Sequence, residues 1–199
     1  RTSWRGWLAM YEGDHVRAMD LCGQAMSLAV AHGYREGRMM SEMGLAVAAQ
    51  KAGELDLAEK HLLNLLDGVP RGPGAEPALH LPVTLSALGN VTLGRGDWTG
   101  ALELHHEAYR AARTLGDPRS TAYILECMAN ALATGGSHED AARLLGTAAA
   151  GRARHGTPRV LAEQREADQV TAACREALGE ERFTAAYEEG SSKDLYEVL

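Results

Sequence analysis

Aromatic side chains are scarce in this chain of 199 residues: Phe, Trp and Tyr together make up 5%, and Phe occurs once. β-Sandwiches and β-barrels draw on aromatic and β-branched residues to fill their pleated faces. Ala, Leu, Glu and Arg, which favour helices, are abundant instead. The composition therefore predicts an all-α fold.

An excess of positive charge is also absent. The 20 Lys and Arg residues are outnumbered by 27 Asp and Glu residues, for a formal net charge of -7. Proteins that bind nucleic acid neutralise phosphates with basic patches. We therefore expect no direct nucleic-acid binding by this segment.

Cysteine is rare, and no long apolar run occurs. Cys22, Cys127 and Cys174 are odd in number and far apart, which excludes a disulfide framework and favours a reducing, cytoplasmic location. The longest stretch without Asp, Glu, Lys or Arg, residues 77–94, contains two prolines and several polar residues, so we expect no membrane contact. Since the chain opens at Arg1 rather than Met, we expect it to be processed or part of a longer protein.

Catalytic and metal-binding motifs are missing too. The sequence has no G-x-x-x-x-G-K-[ST] phosphate loop and no G-x-S-x-G nucleophile elbow. His105 and His106 are adjacent, so they point to different sides of a helix and do not form an H-E-x-x-H pair. We predict no enzymatic activity, no cofactor and no metal site, and we expect His105 to be a hydrogen-bonded core residue. An enzyme with an unfamiliar site remains a competing possibility.

The sequence does contain a spaced pattern of small residues. At four places, spaced 40, 43 and 40 residues apart, a Gly precedes an Ala by five residues. Another small residue lies seven positions before each Gly. The pattern comprises Gly13 with Ala18, Gly53 with Ala58, Gly96 with Ala101, and Gly136 with Ala141, preceded by Gly6, Ala46, Gly89 and Ala129.

This pattern predicts four helical hairpins. A Gly ends a helix because it adopts the left-handed conformation easily, and small residues let two helices approach closely. Each turn Gly is followed by a residue that can cap the next helix, namely Asp14, Glu54, Asp97 and Ser137. A stretch rich in Pro and Gly, residues 67–78, predicts a loop between the second and third hairpins.

The third unit most closely resembles the tetratricopeptide (TPR) motif, through Leu88-Gly89, Gly96-Asp97-Trp98, Ala101 and Ala108. The resemblance covers roughly residues 3–155, although these units exceed the usual ~34 residues. It implies a right-handed α-α superhelix, a TPR-like solenoid, with four hairpins in residues 1–156. A generic α-solenoid remains an alternative.

Residues 157–199 depart from the repeat pattern. We predict a helix from about Pro158 to Leu178, a stop at Gly179, a helix from Glu180 to about Glu189, and a last short helix ending in the sequence DLYEVL. Because solenoids cover their final apolar face with terminal elements, these are expected to be C-terminal capping helices.

The same region resembles the C-terminal end of large actinobacterial LuxR-type and SARP-type multidomain transcriptional regulators. That resemblance implies a helical sensor or scaffold in a longer regulator. It rests on Ala141, Ala142, Arg143, Leu144, Leu145, Gly146, Gly156, Pro158, Ala177, Leu178, Gly179, Glu180, Phe183, Ala186 and Gly190.

Counting back from the turn glycines gives the side chains expected on the inner, concave face of such a superhelix. Two asparagines share one position in successive units, and the TPR resemblance implies that they hold a peptide backbone, since an amide both donates and accepts. The alternative is that they bond a neighbouring helix. A nearby Glu126 would favour a segment with a basic group. The predicted groove comprises Met43, Val47, Gln50, Lys51, Ser86, Asn90, Tyr123, Glu126 and Asn130.

Together these features predict a non-catalytic sensory or scaffold region of a cytoplasmic regulator. Its partner would be a protein or peptide segment, including other domains of the same regulator. The alternatives are a pure oligomerisation scaffold and a stand-alone TPR peptide-binding adaptor. Exposure of the apolar residues Trp4, Trp7, Leu8 and Met10 would favour a missing repeat or a partner chain, including a homo-oligomer.

Overall fold

The structure, a computed structural model, describes residues 2–71, 74 and 76–198, and the backbone alone of residues 2 and 3. Within these ranges the regular elements are helical and no strand occurs, which confirms the predicted all-α class. The helices are α1 (Thr2–Glu12), α2 (His15–Ala31), α3 (Arg35–Ala52), α4 (Leu55–Leu66), α5 (Leu81–Gly94), α6 (Trp98–Leu115), α7 (Pro118–Thr134), α8 (His138–His155), α9 (Leu161–Leu178) and α10 (Glu180–Ser191).

The four predicted hairpins are present as α1–α2, α3–α4, α5–α6 and α7–α8. Gly13, Gly53, Gly96 and Gly136 separate the paired helices, and their φ angles lie between 84° and 88°. This is the left-handed region, where a side chain would add strain. Each of these four glycines thus lies between two consecutive helices.

Capping by the residue after each turn Gly is confirmed in two hairpins and wrong in two. Asp14 accepts a hydrogen bond from Arg17 N and Asp97 accepts one from Gly100 N. Glu54 and Ser137 make no side-chain cap bond. Acidic residues in the first turns of α4 and α8 still favour the positive end of those helices.

The small residues lie where the paired helices come closest. Ala18, Ala58, Ala101 and Ala141 have no exposed surface. A Cβ placed on Gly89 of α5 would lie 2.6 Å from Cε1 of His105 in α6. The predicted close approach therefore holds, and residue size at these positions sets the spacing of the helices.

The chain divides into two compact units, residues 1–78 with α1–α4 and residues 79–199 with α5–α10. The boundary follows the predicted loop, which contains no regular element in its described part. In the first unit, Ala9, Met10, Ala18 and Ala48 form an apolar cluster. In the second, α9 packs against α7 and α8, whereas α10 packs mainly against α8. The interpretation of residues 157–199 as a separate C-terminal cap stays a prediction.

The helices predicted at Pro158–Leu178 and Glu180–Glu189 appear as α9 and α10, but the predicted start at Pro158 is wrong because α9 begins at Leu161. The last predicted short helix is wrong: residues 192–198 form turns and bends. The carbonyl of Leu195 accepts a hydrogen bond from Tyr109 Oη at 3.0 Å, and Val198 N donates to the same tyrosine oxygen. Leu195 itself is fully buried. These tertiary bonds occupy backbone groups that a helix would pair internally.

Candidate functional site

The predicted groove residues belong to two units. Met43, Val47, Gln50 and Lys51 lie on α3 in the first unit. Val47 is partly buried and packs against the apolar cluster of that unit. Met43 is buried, and Gln50 and Lys51 are half-buried. The other five lie on α5 and α7 of the second unit. α5 and α7 contact each other, and we call the surface that presents Asn90, Tyr123 and Asn130 the α5–α7 wall. Ser86, Glu126 and Cys127 belong to the same two helices and are buried.

Asn90 links the two helices of this wall. Its Nδ2 donates to Tyr123 Oη at 3.3 Å and to Cys127 Sγ at 3.7 Å. The predicted alternative, a bond to a neighbouring helix, is therefore present in the structure. In the described part of the chain, no residue donates to Asn90 Oδ1. This oxygen is therefore left to accept a hydrogen bond from a ligand.

Asn130 lies two turns further along α7 from Tyr123 and is exposed. Its side-chain amide has no hydrogen-bond partner in the described part of the chain, and only its backbone carbonyl accepts a bond, from Thr134 Oγ1. Asn90 and Asn130 share their predicted position relative to the turn glycines. The wall therefore offers two amide groups with unused hydrogen-bonding capacity.

Ser86 and His105 lie behind the wall and have no exposed surface. Ser86 Oγ is 3.4 Å from His105 Nδ1. Burial, with a smaller effect of the neighbouring His106, lowers the pKa of His105 to about 4. His105 is thus a neutral, hydrogen-bonded core residue at pH 7, as predicted, and Ser86 is out of reach of a ligand at the surface.

Cys127 and Tyr123 are both protonated at neutral pH. Burial raises the pKa of the Cys127 thiol to about 11, which excludes the thiolate needed for nucleophilic chemistry there. The neighbouring Cys127, together with burial, raises the pKa of Tyr123 above its ordinary value. Both side chains can therefore act as neutral hydrogen-bonding groups.

Glu126 is buried, and its carboxylate is already paired. Arg152 of α8 donates to both of its oxygens, through Nε at 2.9 Å and Nη2 at 2.8 Å. Arg159 Nε donates to Oε1 at 2.7 Å. Because three charge-assisted bonds satisfy this carboxylate, it is not free to receive a basic group from a ligand.

Glu163 at the start of α9 extends this ion network. Its Oε2 lies 3.2 Å from Arg152 Nη2, and its Oε1 accepts from Arg119 Nη2 of α7 at 2.8 Å. Arg152 also donates to the carbonyl of Thr157. The network ties α7, α8 and α9 together, and its geometry is that of a structural cross-link.

Sequence reasoning missed Arg152 and Arg159, although the repeat contained a signal for the first. Arg152 lies 16 residues after Gly136. The equivalent positions in the first and third hairpins are Ala29 and Ala112, both buried. A charged residue at a buried repeat position requires a partner. The repeat pattern therefore indicates that Arg152 forms a buried ion pair.

The first helix exposes an apolar stripe. Trp4, Leu8 and Tyr11 are 72%, 58% and 47% exposed and share one face of α1 through i, i+4 and i+7 spacing. Trp7 is half-buried and Met10 is buried. The exposure that would favour a missing repeat or a partner chain is therefore present at Trp4 and Leu8, whereas Met10 belongs to the core cluster.

The described residues also bear on metal binding and on membrane insertion. No group of three or more His, Cys, Asp or Glu side chains is arranged to hold a metal ion. In the same part of the chain, every helix is too short or too polar to cross a membrane.

Comparison with known proteins reveals similarity at the level of structure. No protein-family model matches the chain, and no curated protein is significantly similar in sequence. A crystal structure of a kinesin light chain-like protein of Podosopora anserina with nearly identical TPR-like repeats aligns with a TM-score of 0.57 at 19% identity, covering 96% of both chains. The crystal structure of a single-residue variant of that protein has the same TM-score and identity, covering 96% of this chain and 95% of that one. The chain therefore has the fold of a TPR-like helical solenoid.

Proposed function

We propose that this chain is a non-catalytic protein-interaction module that binds an extended peptide segment along the α5–α7 wall. The observation that carries the proposal is the pair Asn90 and Asn130, equivalent in the repeat and each with amide hydrogen-bonding capacity left over. A peptide backbone presents alternating N–H and C=O groups, which amide side chains pair with at both ends. Tyr123, which is hydrogen-bonded to Asn90, adds an apolar ring with a polar tip.

The ion network narrows the chemistry of the proposed ligand. Glu126 is satisfied by Arg152 and Arg159, so the segment gains nothing from a basic group at that point. Recognition would rest on backbone hydrogen bonds and on contact with the Tyr123 ring. A neutral extended segment suits the wall better than the basic segment that the sequence suggested.

The wider context follows from the resemblance of the C-terminal region to multidomain regulators. We propose that the chain acts in the cytoplasm as a sensory or scaffold region of a transcriptional regulator, with another domain of that regulator or a separate protein as its partner. Binding would shift the population of conformers in proportion to its differential affinity for them. Sequencing the intact gene product tests this context, since a nucleotide-binding loop or a helix-turn-helix motif outside these residues would support it.

The binding proposal is tested by selecting ligands from a phage library of unstructured ten-residue peptides and comparing variants. Replacing Asn90 and Asn130 together by Ala should weaken a selected peptide about tenfold or more, because each net hydrogen bond contributes about 0.5–1.5 kcal/mol. Thr134→Ala, on the same helix one turn from Asn130, is the matched control and should leave the affinity within about twofold. Equal affinity of the double variant and the control would reject the wall as the peptide site.

A second candidate function is assembly through the apolar stripe of α1. Trp4, Leu8 and Tyr11 form a continuous exposed face, which is unusual on a monomer surface. We propose that two copies pack these faces together. Sedimentation velocity should then show a dimer that Leu8→Glu dissociates, whereas Val16→Glu, at an exposed apolar position on α2, leaves it intact. A monomer at all concentrations would refute self-assembly.

A further inference from the structure

The second hairpin carries a polar pair at a position where later hairpins carry leucines. Counting from the turn glycines, Glu42 of α3 corresponds to Leu85 and Leu125, and His61 of α4 corresponds to Leu104 and Leu144. Leu85 and Leu125 are fully buried core residues. Glu42 and His61 are 6% and 8% exposed, so the second hairpin places ionisable groups in an equally buried layer.

These groups are held by direct contacts. His61 Nδ1 lies 3.3 Å from Glu42 Oε1, and Asn64 Nδ2 donates to the same oxygen at 3.2 Å. Burying a carboxylate carries a large desolvation penalty, and an apolar pair of similar volume is often at least as stable. Stability alone therefore does not account for Glu42 and His61 where the third and fourth hairpins use leucine.

An open cleft next to Glu42 gives a better explanation for these buried polar residues. A cavity of about 600 Å³ lies within the first unit, between α2, α3 and α4, and Glu42 lines it. This volume falls within the range of small-molecule sites. The cleft does not involve the α5–α7 wall. Its other lining residues include Met26, Val30, Arg38, Asn64 and Asp67.

The lining combines three kinds of chemistry. Met26 and Val30 provide an apolar side. Arg38 and Asp67 are exposed, and in the described part of the chain neither side chain forms an ion pair. The cleft thus contains two carboxylates, of Glu42 and Asp67, and the guanidinium of Arg38. These groups match a small molecule that carries a positive and a negative charge next to a short aliphatic group.

We propose that this cleft binds a small aliphatic amino acid or a similar zwitterion. The ammonium group pairs with Glu42 and Asp67, and the carboxylate pairs with Arg38. The side chain of the ligand packs against Met26 and Val30. Asn64 and His61 contact one oxygen of the Glu42 carboxylate, and the second oxygen, which has no hydrogen-bond partner in the described part of the chain, accepts from the ammonium group. This site is independent of the peptide site proposed above.

The first test uses isothermal titration calorimetry of the whole chain with L-leucine. Saturable binding is expected, and N-acetyl-L-leucine and L-leucinamide, which lack the ammonium and the carboxylate charge respectively, should each bind at least about tenfold more weakly. If L-leucine, L-valine, L-alanine and L-methionine all fail to bind, or if N-acetyl-L-leucine binds as well as L-leucine, the proposal is overturned.

The second test uses the repeat itself as a guide to variants. Glu42→Leu combined with His61→Leu installs the pair that the third and fourth hairpins use, so the variant should fold with an unchanged helical circular dichroism spectrum and lose L-leucine binding. Arg38→Gln and Asp67→Asn alter exposed groups and should each weaken binding at least about fivefold. Glu36→Gln, on the first turn of α3 outside the cleft, is the matched control. Retention of wild-type affinity by the folded Leu–Leu variant would contradict the assignment.

Discussion

A single imidazole shows how this fold controls one ionisable group. His105 is fully buried against Gly89 and Ser86, and its pKa falls to about 4 because burial disfavours the charged form. In the unfolded chain the same group takes a proton near pH 6.5. Since the folded pKa is depressed, stability is complete above pH 6.5 and is lost as the pH falls from 6.5 towards 4.

Acidification should therefore weaken the fold in a way that depends on His105. Between pH 7 and pH 5 this residue should remove about 2 kcal/mol from the free energy of unfolding, measured by urea denaturation. His105→Leu should flatten the pH profile by that amount, because Leu62 and Leu145 already occupy the equivalent buried position in other hairpins. An unchanged slope in the variant would show that other groups cause the acid sensitivity.

The close approach of α5 and α6 can be tested by substituting Gly89. Gly89→Ala should destabilise the chain by about 1–3 kcal/mol, because the new methyl group would overlap the His105 ring. The matched control is Gly23→Ala in α2, where no atom of another helix in the described part of the chain lies within 4 Å of the added Cβ. That change should raise stability by up to about 1 kcal/mol through helix propensity. Equal thermal shifts for both variants would contradict the packing argument.

Among the helices, glycine spacing explains both the turn inside each hairpin and the end of most hairpins. A second glycine lies 20 residues after three of the four turn glycines, at Gly33, Gly116 and Gly156, and each has a φ angle of 63° or 64°. These glycines end the second helix of a hairpin. The second hairpin lacks one at the equivalent position, residue 73, and it is followed by the long loop instead.

The fit between the paired helices can be tested at Ala101 in α6. Ala101→Leu should lower the free energy of unfolding by about 1–3 kcal/mol, because the position is fully buried and the larger side chain must be accommodated. Ala153→Leu, on the exposed side of α8, is the control and should change it by less than about 0.5 kcal/mol. A neutral Ala101→Leu result in chemical denaturation would show that the helices are less tightly packed than the repeat pattern implies.

The ion network makes a separate prediction about how α7, α8 and α9 are joined. Glu126→Ala leaves Arg152 buried without its main partner, which should cost about 3–5 kcal/mol. Glu103→Ala, at an exposed position on α6, should change stability by less than about 0.5 kcal/mol. Thermal denaturation followed by circular dichroism measures both. A small loss for Glu126→Ala would mean that the network contributes little to the packing of these helices.

At the scale of the whole molecule, the sequence predicts the fold better than the binding surface. The helix pairs follow from local rules, since a left-handed Gly and a buried Ala recur at a fixed distance. The pairing of Glu126 with Arg159 could not be predicted, because it depends on the course of the chain between α8 and α9, whereas the buried repeat position of Arg152 can be read from the sequence. The prediction of a last short helix is wrong for a similar reason. The backbone of Leu195 accepts a hydrogen bond from Tyr109, which lies 86 residues earlier in the chain.

The side-chain amides of the wall provide the most direct measurement of the central claim, that the repeated helix pairs present a peptide-binding wall. In a ¹H–¹⁵N NMR titration with a selected peptide, the side-chain NH₂ signals of Asn90 and Asn130 should shift together with the backbone signals of α5 and α7. Saturable shifts confined to other helices, with both amide signals unmoved, would contradict the account.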